Sequence, residues 1–522
     1  MVRSLRNIQW REALPRMAAD FLIVHFSMIA ALALSVVYQT GAGNSLGARA
    51  TLSGFLRYYA AFFWLLSPIF PLVFLLNGFY THSRAYAGRY KTFVILRGVA
   101  LAAGVFFAAD FLIFGQEKLG RSVVLPFVML AAAGAASARI LKGFLEKRYL
   151  VRSRTAPLPV SRRDLVLVVG GAGYIGSLLV ERLLEKGYRV RVLDCLLYGD
   201  EPLRAVRNHP DFELIVGDCR NIQDVVKAVS GADSIVDLAA IVGDPACNQD
   251  QDSALETNYA ATRMLIEIAK GHGVSHLLFA SSCSVYGATD VEMDENAAVQ
   301  PISLYGQTKV DSERALLAAR SDTFHPTILR FATVFGLGYR PRFDLVVNLL
   351  TAKARQEGVI TIYNGQQWRP FIHVRDLVDA TVRVLESPVR LVSGEILNVG
   401  DARLNHTLAG VAEAIRSAFP KVRVERVDNS DLRNYRVNFD KLLTRTGFRA
   451  RYTLRDGIEE LKNAFDKGLI TDYTDLRYHN QRYLEAVGNP GHKDETDAMV
   501  MAAFSNHHPS RHAVAADQAP TV

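Results

Sequence analysis

Apolar residues are unevenly distributed along this 522-residue chain, and the first 150 positions hold the longest apolar stretches. Four stretches there reach the length of about 20 mostly apolar residues that a helix needs to cross a bilayer. They run from Met17 to Gln39, from Tyr58 to Tyr80, from Phe93 to Phe114 and from Ser122 to Phe144. The pattern predicts an α-helical membrane domain of four spans over residues 1–150, with buried helices of a water-soluble domain as the alternative.

Basic residues mark one side of the predicted membrane. They precede the first span, separate the second from the third, and follow the fourth: Arg3, Arg6, Arg11, Arg16, Arg84, Arg89, Lys91, Lys142, Lys147 and Arg148. By the positive-inside rule both termini are cytoplasmic, and the chain is a multi-pass protein of a bacterial-type inner (plasma) membrane. The formal net charge of +8 is then explained by the orientation of the spans and by contact with anionic lipid headgroups. It does not indicate a nucleic-acid partner.

Two charged residues fall inside the predicted spans. Asp110 in the third span and Arg139 in the fourth could pair within the bundle and mark a functional site. Alternatively, both lie near helix ends and extend toward the headgroups.

From residue 164 onward the pattern changes to short apolar runs separated by helical segments, which is typical of buried parallel strands. The runs are Leu165 to Val169, Arg189 to Leu193, Phe212 to Val216, Ser234 to Leu238 and His276 to Ala280. We therefore expect an α/β domain with a Rossmann-type doubly wound parallel sheet over residues 164–487. Residues 151–163 read as a basic linker, and residues 488–522, which lack periodicity, as a disordered tail.

A glycine-rich segment, Gly170 to Gly176, follows the first of these strands and opens a helix. Gly170 makes the tight turn, Gly173 lets the backbone approach phosphates, and Gly176 lets the helix pack close to its strand. Asp194 ends the second strand about 20 residues later, where a carboxylate bonds the adenosine ribose hydroxyls. This spacing predicts a dinucleotide site, and Asp194 favours NAD over NADP because its charge repels a 2′-phosphate.

Three further residues suggest a catalytic group. Tyr305 and Lys309 lie four residues apart in a helix-compatible stretch, so both project from one face. A nearby ammonium lowers the pKa of a tyrosine from about 10 and makes it a usable base at neutral pH. Ser282, which follows the fifth strand, could hold the substrate oxygen whose proton Tyr305 removes. The cysteines show no C-x-x-C spacing, so no metal site is expected.

These motifs occur in a familiar order: the glycine segment, Asp194, Asp218, Leu238-Ala239-Ala240, Asn258, Thr262, Ser282, Tyr305 and Lys309. From about Asp164 to Glu485 the chain resembles the extended short-chain dehydrogenases/reductases of the nucleotide-sugar epimerase and dehydratase group. The resemblance implies that NAD is held by Gly170, Gly173, Tyr174, Ile175, Gly176, Asp194, Asp218, Ala239, Tyr305 and Lys309. It also implies that Asp218 contacts the adenine, that Tyr305 is the base, that Lys309 holds Tyr305 and the nicotinamide ribose, and that Ser282 assists at the substrate hydroxyl.

The resemblance extends to a smaller C-terminal lobe for the sugar nucleotide. Leu329 to Gly336 resembles the segment that leads into that lobe, and Asn348 with Leu349 resembles a pair that meets the diphosphate. Arg369 lies where the family places a diphosphate-binding arginine, whose planar fork suits phosphate oxygens. Arg433 and Arg436 are candidates for a second arginine, of which Arg433 enters the predicted site. His373 is expected to pack structurally.

Two positions after Ser282 bear on the reaction. The resemblance implies that dehydratases carry acidic residues just after this serine, because elimination needs a proton on the departing hydroxyl and a base at C5. Cys283 and Ser284 are neither, so C4 epimerisation of a nucleotide sugar is expected. Dehydration, 4-ketoreduction and a non-catalytic nucleotide-sensing scaffold are the alternatives, and Cys283 is either a buried thiol or an acid or base for C3 or C5 epimerisation.

The N-terminal region, including Phe79-Tyr80 and Arg84-Ala85-Tyr86, resembles the membrane domain of bacterial polysaccharide-biosynthesis proteins of the membrane-bound sugar dehydratase type. It implies work beside a surface polysaccharide or glycan pathway, with glycan-assembly enzymes and a second copy of the chain as candidate partners. An epimerase acting on a polyprenyl-diphosphate-linked sugar is a further alternative.

Overall fold

The computed structural model describes residues 10–40, 45–76, 89–114, 121–153, 164–428, 433–489, 491 and 495–505. The chain divides into two compact units, residues 1–162 and residues 163–522. We refer to them as the N-terminal unit and the C-terminal unit and describe each by itself.

The N-terminal unit consists of long helices, and its described residues place apolar side chains on the outside. The helices are α1 (Trp10–Thr40), α2 (Ser45–Leu76), α3 (Arg89–Phe114) and α4 (Arg121–Ser153). Phe26 and Leu112 are 78% and 82% exposed, whereas Asp20, His25 and Asp110 are buried. The His25 ring is hydrogen-bonded at both nitrogens, to Tyr59 at 2.8 Å and to Ser67 at 3.2 Å. Apolar side chains also fill the interior, among them Met28, Phe70 and Phe127, so the described helices are apolar inside and over much of their outside.

The helices cover the four stretches predicted from hydropathy, except for residues 77–80, which lie outside the described residues. Among the described residues, one stretch, Met17–Tyr38, is long and apolar enough to cross a membrane, with a mean hydropathy of 2.2. Phe63–Leu75 and Ser122–Ala138 are shorter apolar stretches. Four spans therefore remain a prediction. Asp110 is buried and does not extend outward, and the side chain of Arg139 lies outside the described residues.

The C-terminal unit is built on a parallel sheet of seven strands in the order β11-β7-β5-β4-β1-β2-β3, which confirms the doubly wound fold. The predicted strands are present, with β2 and β5 ending one and two residues later than expected and β4 one residue earlier. The strands of the main sheet are β1 (Leu165–Val169), β2 (Arg189–Asp194), β3 (Phe212–Val216), β4 (Ser234–Asp237), β5 (His276–Ser282), β7 (His325–Phe331) and β11 (Ile396–Val399). The strand order reverses between β1 and β4, the point where such sheets bind ligands at their carboxyl ends.

Helices cover this sheet, and three small sheets build the C-terminal lobe. The helices are α5 (Tyr174–Glu185), α6 (Ile222–Val229), α7 (Asp244–Gln249), α8 (Gln251–Leu255), α9 (Ala261–His272), α10 (Leu304–Ala319), α11 (Val346–Gln356), α12 (Val374–Glu386), α13 (Val389–Val392), α14 (Leu408–Ala418), α15 (Asp440–Thr446) and α16 (Leu454–Asp466). The remaining strands are β6 (Ala288–Met293), β8 (Thr333–Phe335), β9 (Val359–Tyr363), β10 (Trp368–His373), β12 (Asn405–Thr407), β13 (Arg423–Val427) and β14 (Asn434–Val437). They pair as β12-β10-β8, β13-β9 and β14-β6.

The C-terminal end corrects one prediction. Two helices, α17 (Asn480–Val487) and α18 (Glu495–Ser505), follow α16. Helix α18 lies within residues 488–522, so part of the stretch predicted to be disordered is helical. Buried Asp497 accepts hydrogen bonds from the Asn221 side chain at 2.5 Å and from the Ile222 amide at 3.3 Å. These long-range contacts fix α18, and local periodicity did not reveal them. Residues 506–522 lie outside the described residues.

The predicted linker needs a smaller correction. Helix α4 continues to Ser153, because Val151 to Ser153 prolong the helical stretch before Pro157 and Pro159 can interrupt it. The linker of residues 151–163 therefore begins inside a helix, and its residues 154–163 lie outside the described residues.

Candidate active site

A cavity of about 760 Å³ opens at the carboxyl ends of β1, β4 and β5 in the C-terminal unit. It brings together nearly all residues predicted to form the site. Its lining includes Gly170, Gly173, Tyr174, Ile175, Gly176, Asp194, Asp218, Ala239, Ser282, Tyr305, Lys309, Arg369 and Arg433. Two predicted residues, Asn348 and Arg436, do not line it.

The glycine segment forms a tight turn between β1 and α5. Gly170 has a φ of +81°, and a Cβ there would lie 2.9 Å from the Ala239 nitrogen. A Cβ on Gly176 would lie 2.8 Å from the Cα of Gly171, so the helix can approach the turn only without a side chain. The first turn of α5 thus presents unpaired N–H groups to the cavity. These features fit the diphosphate of a dinucleotide.

Asp194 fixes the shape of this turn. Its carboxylate accepts hydrogen bonds at 2.8 Å from the backbone N–H of Ala172 and from that of Leu196. Burial raises the pKa of Asp194, and both hydrogen bonds act against that shift. Because each carboxylate oxygen has further lone pairs, Asp194 can hold the turn and still accept ribose hydroxyls.

Asp218 lies at the next position along the cavity wall, after β3. Its carboxylate pairs with the Arg220 guanidinium at 2.8 Å, and its backbone N–H donates to Asp224 at 2.9 Å. Asp218 therefore lies on the cavity wall with its charge compensated by Arg220, and its contact with the adenine stays a prediction.

Ser282, Tyr305 and Lys309 meet at the end of β5. Ser282 lies close enough to Tyr305 to act on it as a hydrogen-bonding side chain and to lower its pKa, but burial dominates and raises that pKa. The Lys309 ammonium lies 5.7 Å from the Tyr305 ring centre and donates to the Ala280 carbonyl at 2.8 Å. The predicted grouping of the three side chains is present, but the expected lowering of the Tyr305 pKa is not, because burial of the phenol raises it.

Asp237, at the end of β4, was missed by the sequence analysis. Its buried carboxylate interacts electrostatically with Lys309; burial raises the pKa of Asp237 to about 6, and Lys309 acts in the opposite direction. Burial lowers the pKa of Lys309 to about 8, and Asp237 opposes that shift. Each charge thus supports the other inside the protein.

Cys283 and Ser284 point in different directions. The Cys283 thiol is buried, donates to the Arg330 carbonyl at 3.3 Å, and does not line the cavity. Burial raises its pKa. Ser284 does line the cavity and donates to the Ser282 hydroxyl at 2.9 Å. The geometry therefore agrees with the buried-thiol interpretation of Cys283.

The predicted arginines are partly reassigned. Arg369 lines the cavity and donates to the Arg433 carbonyl, while the Arg433 guanidinium pairs with Asp244 at 3.1 Å. Arg436 instead stacks on Trp368, with 5.4 Å to the ring centre. The cavity therefore favours Arg433 over Arg436.

Asn348 lies behind the cavity wall. Its fully buried side chain accepts from the Gly336 amide at 2.9 Å and donates to the Arg342 carbonyl at 3.0 Å. The prediction that Asn348 meets the diphosphate is corrected, because its amide is used to hold the loop after β8.

That loop, residues 336–344, contributes two arginines that the sequence analysis missed. Arg340 and Arg342 both line the cavity, and Arg342 pairs with Asp344 at 2.7 Å. His373 supports the loop through Glu460. The His373 ring lies 3.0 Å from the Glu460 carboxylate, which accepts a hydrogen bond from the Leu337 amide at 2.8 Å. The structural role expected of His373 agrees with this contact. The sequence signal for Arg340 and Arg342 was a pair of arginines four and six residues after Gly336, the glycine that follows β8.

Comparisons with known proteins agree with this geometry. A profile of the NAD dependent epimerase/dehydratase family matches residues 166–400. YtcB of Bacillus subtilis, described as an uncharacterized UDP-glucose epimerase, is 33% identical over 248 residues, which cover 45% of this chain and 77% of that protein. A UDP-glucose 4-epimerase of Rhizobium leguminosarum bv. trifolii is 28% identical over 323 residues, 58% of this chain and 97% of that protein. The solved structure of MoeE5 in complex with UDP-glucuronic acid and NAD is 31% identical with a TM-score of 0.51, over 58% of this chain and 99% of the other.

Proposed function

Because this chain belongs to the NAD dependent epimerase/dehydratase family and is an NAD-dependent enzyme of that type, we propose that it is a nucleotide-sugar 4-epimerase anchored in a membrane. The observation that carries the reaction is the group at the end of β5. Tyr305 lies beside Ser282 on the cavity wall, with the Lys309 ammonium 5.7 Å from its ring centre, and the two side chains after Ser282 are a buried thiol and a hydroxyl.

NAD is oriented by the two ends of the cavity. Asp194 and Asp218 take the adenosine half, the first turn of α5 takes the diphosphate, and Lys309 takes the nicotinamide ribose. When bound, NAD supplies reversible redox chemistry at C4 of the sugar. Tyr305 and Lys309 would face the nicotinamide end of a bound NAD, and the positive charge of NAD⁺ would oppose the effect of burial on the Tyr305 pKa.

Tyr305 and Ser282 act together on the sugar 4-hydroxyl. Ser282 donates a hydrogen bond to that oxygen, and the Tyr305 oxygen accepts its proton. Lys309 stabilises the phenolate in which Tyr305 acts as a base. Loss of the C4 hydride then leaves a ketone, which would turn over in the cavity and regain the hydride on its opposite face. Tyr305 would then return the proton to the new alkoxide. The geometry requires no second acid, which agrees with Cys283 facing the core.

The substrate lobe supplies the nucleotide contacts. Arg369 and Arg433 lie on the cavity wall and are proposed to hold the diphosphate, with Arg433 released from Asp244 or bridging both. The names of the similar proteins favour a UDP-hexose or a UDP-uronate as the substrate.

The surface of the N-terminal unit supports anchoring. Leu22, Phe26, Leu112, Leu125 and Met129 are each more than half exposed, an apolar outer surface that lipid covers better than water. We propose four spans, cytoplasmic termini and a bacterial inner membrane as the location, with a surface glycan pathway as the context. Retention of the full chain in membranes after washing with alkaline carbonate supports this, and release into the supernatant contradicts it.

The reaction is tested with the full-length protein in detergent and a panel of UDP-, GDP-, CDP- and dTDP-sugars. We expect a 4-epimer without net NADH, and a loss of about 10²- to 10⁴-fold in kcat for Tyr305→Phe. A 4-keto-6-deoxy product indicates a dehydratase, and a stoichiometric need for NADH indicates a ketoreductase. Activity confined to polyprenyl-diphosphate sugars overturns the soluble-substrate assignment. Full complementation by Tyr305→Phe in cells points to a non-catalytic scaffold.

A further inference from the structure

Arg340 is a buried cation on the wall of the active-site cavity. Only 5% of its surface is exposed. Its Nε donates to the Arg477 carbonyl at 2.7 Å, one terminal nitrogen donates to the Asn480 side chain at 2.7 Å, and its guanidinium lies 3.5 Å from the ring centre of Tyr198. All three partners are neutral. They fix the position of the guanidinium without neutralising its charge.

Three other arginines on the cavity wall have carboxylate partners, whereas Arg369, at the substrate lobe, also donates to neutral oxygens of Trp368, Gln367 and Arg433. Arg220 pairs with Asp218, Arg342 with Asp344 and Arg433 with Asp244. Among the described residues, no carboxylate lies within ion-pair distance of Arg340. Burial without such a partner lowers the pKa of Arg340 to about 10, so the side chain is still charged at neutral pH. A charge held this way in a cavity is best compensated by an anionic ligand.

The position of Arg340 shows which end of the cavity it serves. Its loop runs along α5, where the Tyr174 hydroxyl donates to the Gly336 carbonyl at 2.7 Å and the Tyr339 hydroxyl donates to Glu181 at 2.6 Å. Arg340 also interacts electrostatically with Asp194. These contacts place it at the glycine turn and the proposed ribose site, whereas Arg369 and Arg433 lie at the substrate lobe.

We propose that Arg340 is a cofactor-binding residue that binds the diphosphate of NAD opposite the first turn of α5. A dinucleotide diphosphate carries two negative charges, and Asp194 adds a third beside it. A helix N-terminus offers only about half a positive charge. The guanidinium of Arg340 supplies a full charge and, from its fork, donors that its neutral partners do not use. This inference deepens the cofactor assignment and rests on the NAD orientation proposed above.

The arrangement also gives the C-terminal segment a role at the cofactor. Arg477 and Asn480 hold Arg340, and Asn480 opens α17, which itself lines the cavity. The Tyr198 ring, over which the guanidinium lies, packs in turn against the Tyr483 ring of α17, with 4.8 Å between ring centres and an angle of 59° between the rings. The segment from Arg477 to Tyr483 therefore positions Arg340, the residue proposed to bind the diphosphate.

The test measures binding and needs no turnover, so it is independent of which reaction the enzyme performs. Apo full-length protein in detergent is titrated with NAD, ADP-ribose, adenosine, UDP and UDP-glucuronic acid by calorimetry. For Arg340→Met we expect about 10- to 100-fold weaker binding of NAD and ADP-ribose. Adenosine, which lacks the diphosphate, and both uridine nucleotides should bind within threefold of wild type.

The matched control is Arg355→Ala, which removes an exposed arginine paired with Asp466 and should leave every affinity unchanged. If Arg340→Met does not fold, Asn480→Ala is used instead. It keeps the charge of Arg340 but removes one hydrogen bond that holds the guanidinium, and it should weaken the binding of ADP-ribose more than the binding of adenosine. Unchanged NAD binding with weakened UDP or UDP-glucuronic acid would assign Arg340 to the sugar nucleotide and overturn the proposal. Equal weakening of adenosine and ADP-ribose, or no change for any ligand, would show a structural role and overturn it as well.

Discussion

At the residue scale, the buried pair of Asp237 and Lys309 makes stability depend on pH in a defined direction. Burial raises the pKa of Asp237 to about 6, from an unfolded value near 4. The folded state therefore holds an extra proton between these values. The stabilisation by protonated Asp237 is complete below pH 4 and is lost as the pH rises through 6.

Asp237→Asn removes this titration. We expect the stability of wild type relative to the variant to fall between pH 4 and pH 7, by on the order of 3 kcal/mol of unfolding free energy. The measurement is thermal unfolding of both full-length proteins in detergent across that range, expressed as the difference between their Tm values. A difference that stays constant with pH would show that Asp237 does not titrate in this window.

Substitution of Cys283 tests whether its thiol takes part in the reaction. Because its thiol faces Arg330 in the core, Cys283→Ala should keep kcat within about threefold and cost about 1 kcal/mol of stability. Ser282→Ala, one residue earlier on the cavity wall, serves as the matched control and should lower kcat at least 10²-fold. A comparable loss in Cys283→Ala would instead identify the thiol as an acid or base for epimerisation at C3 or C5.

At the element scale, the sequence predicts the central strands well because both faces of a parallel sheet are buried. Their apolar runs are continuous and need no knowledge of the rest of the chain. The glycine turn is equally local, since β1, the turn and α5 follow one another directly. Helix α18 is different: its key polar contact joins residues 221 and 497, and its apolar residues are not grouped on one side. The local pattern of apolar and polar residues does not predict such a contact.

Helix α18 can be tested through this contact. Asp497→Ala leaves the Asn221 side chain and the Ile222 amide, at the start of α6, without their acceptor. We expect a loss of about 1–3 kcal/mol and faster hydrogen exchange in residues 495–505, measured by mass spectrometry. The exposed Glu495→Ala is the control and should change neither. Fast exchange of this segment already in wild type would support the disordered tail instead.

At the scale of the whole molecule, the sequence indicated the nucleotide site more completely than the substrate site. Gly170, Asp194, Tyr305 and Lys309 belong to motifs with fixed spacing, and all of them line one cavity. The roles of Asn348 and Arg340 depend on how the loop after β8 folds over α5, which is a long-range arrangement. For the N-terminal unit, hydropathy predicted the helices, but the burial of Asp110 followed only from their packing.

The central claim is that the enzyme oxidises and then re-reduces C4 of a nucleotide sugar without exchanging that hydrogen with solvent. The most direct measurement follows full-length protein, UDP-glucose and UDP-glucuronic acid in D₂O by proton NMR. We expect a 4-epimer that keeps hydrogen at C3, C4 and C5, with no net NADH formed and with product formation by Tyr305→Phe slowed by at least about 10²-fold. Deuterium at C3 or C5 of the product, or a 4-keto-6-deoxy sugar, would contradict the assignment as a 4-epimerase.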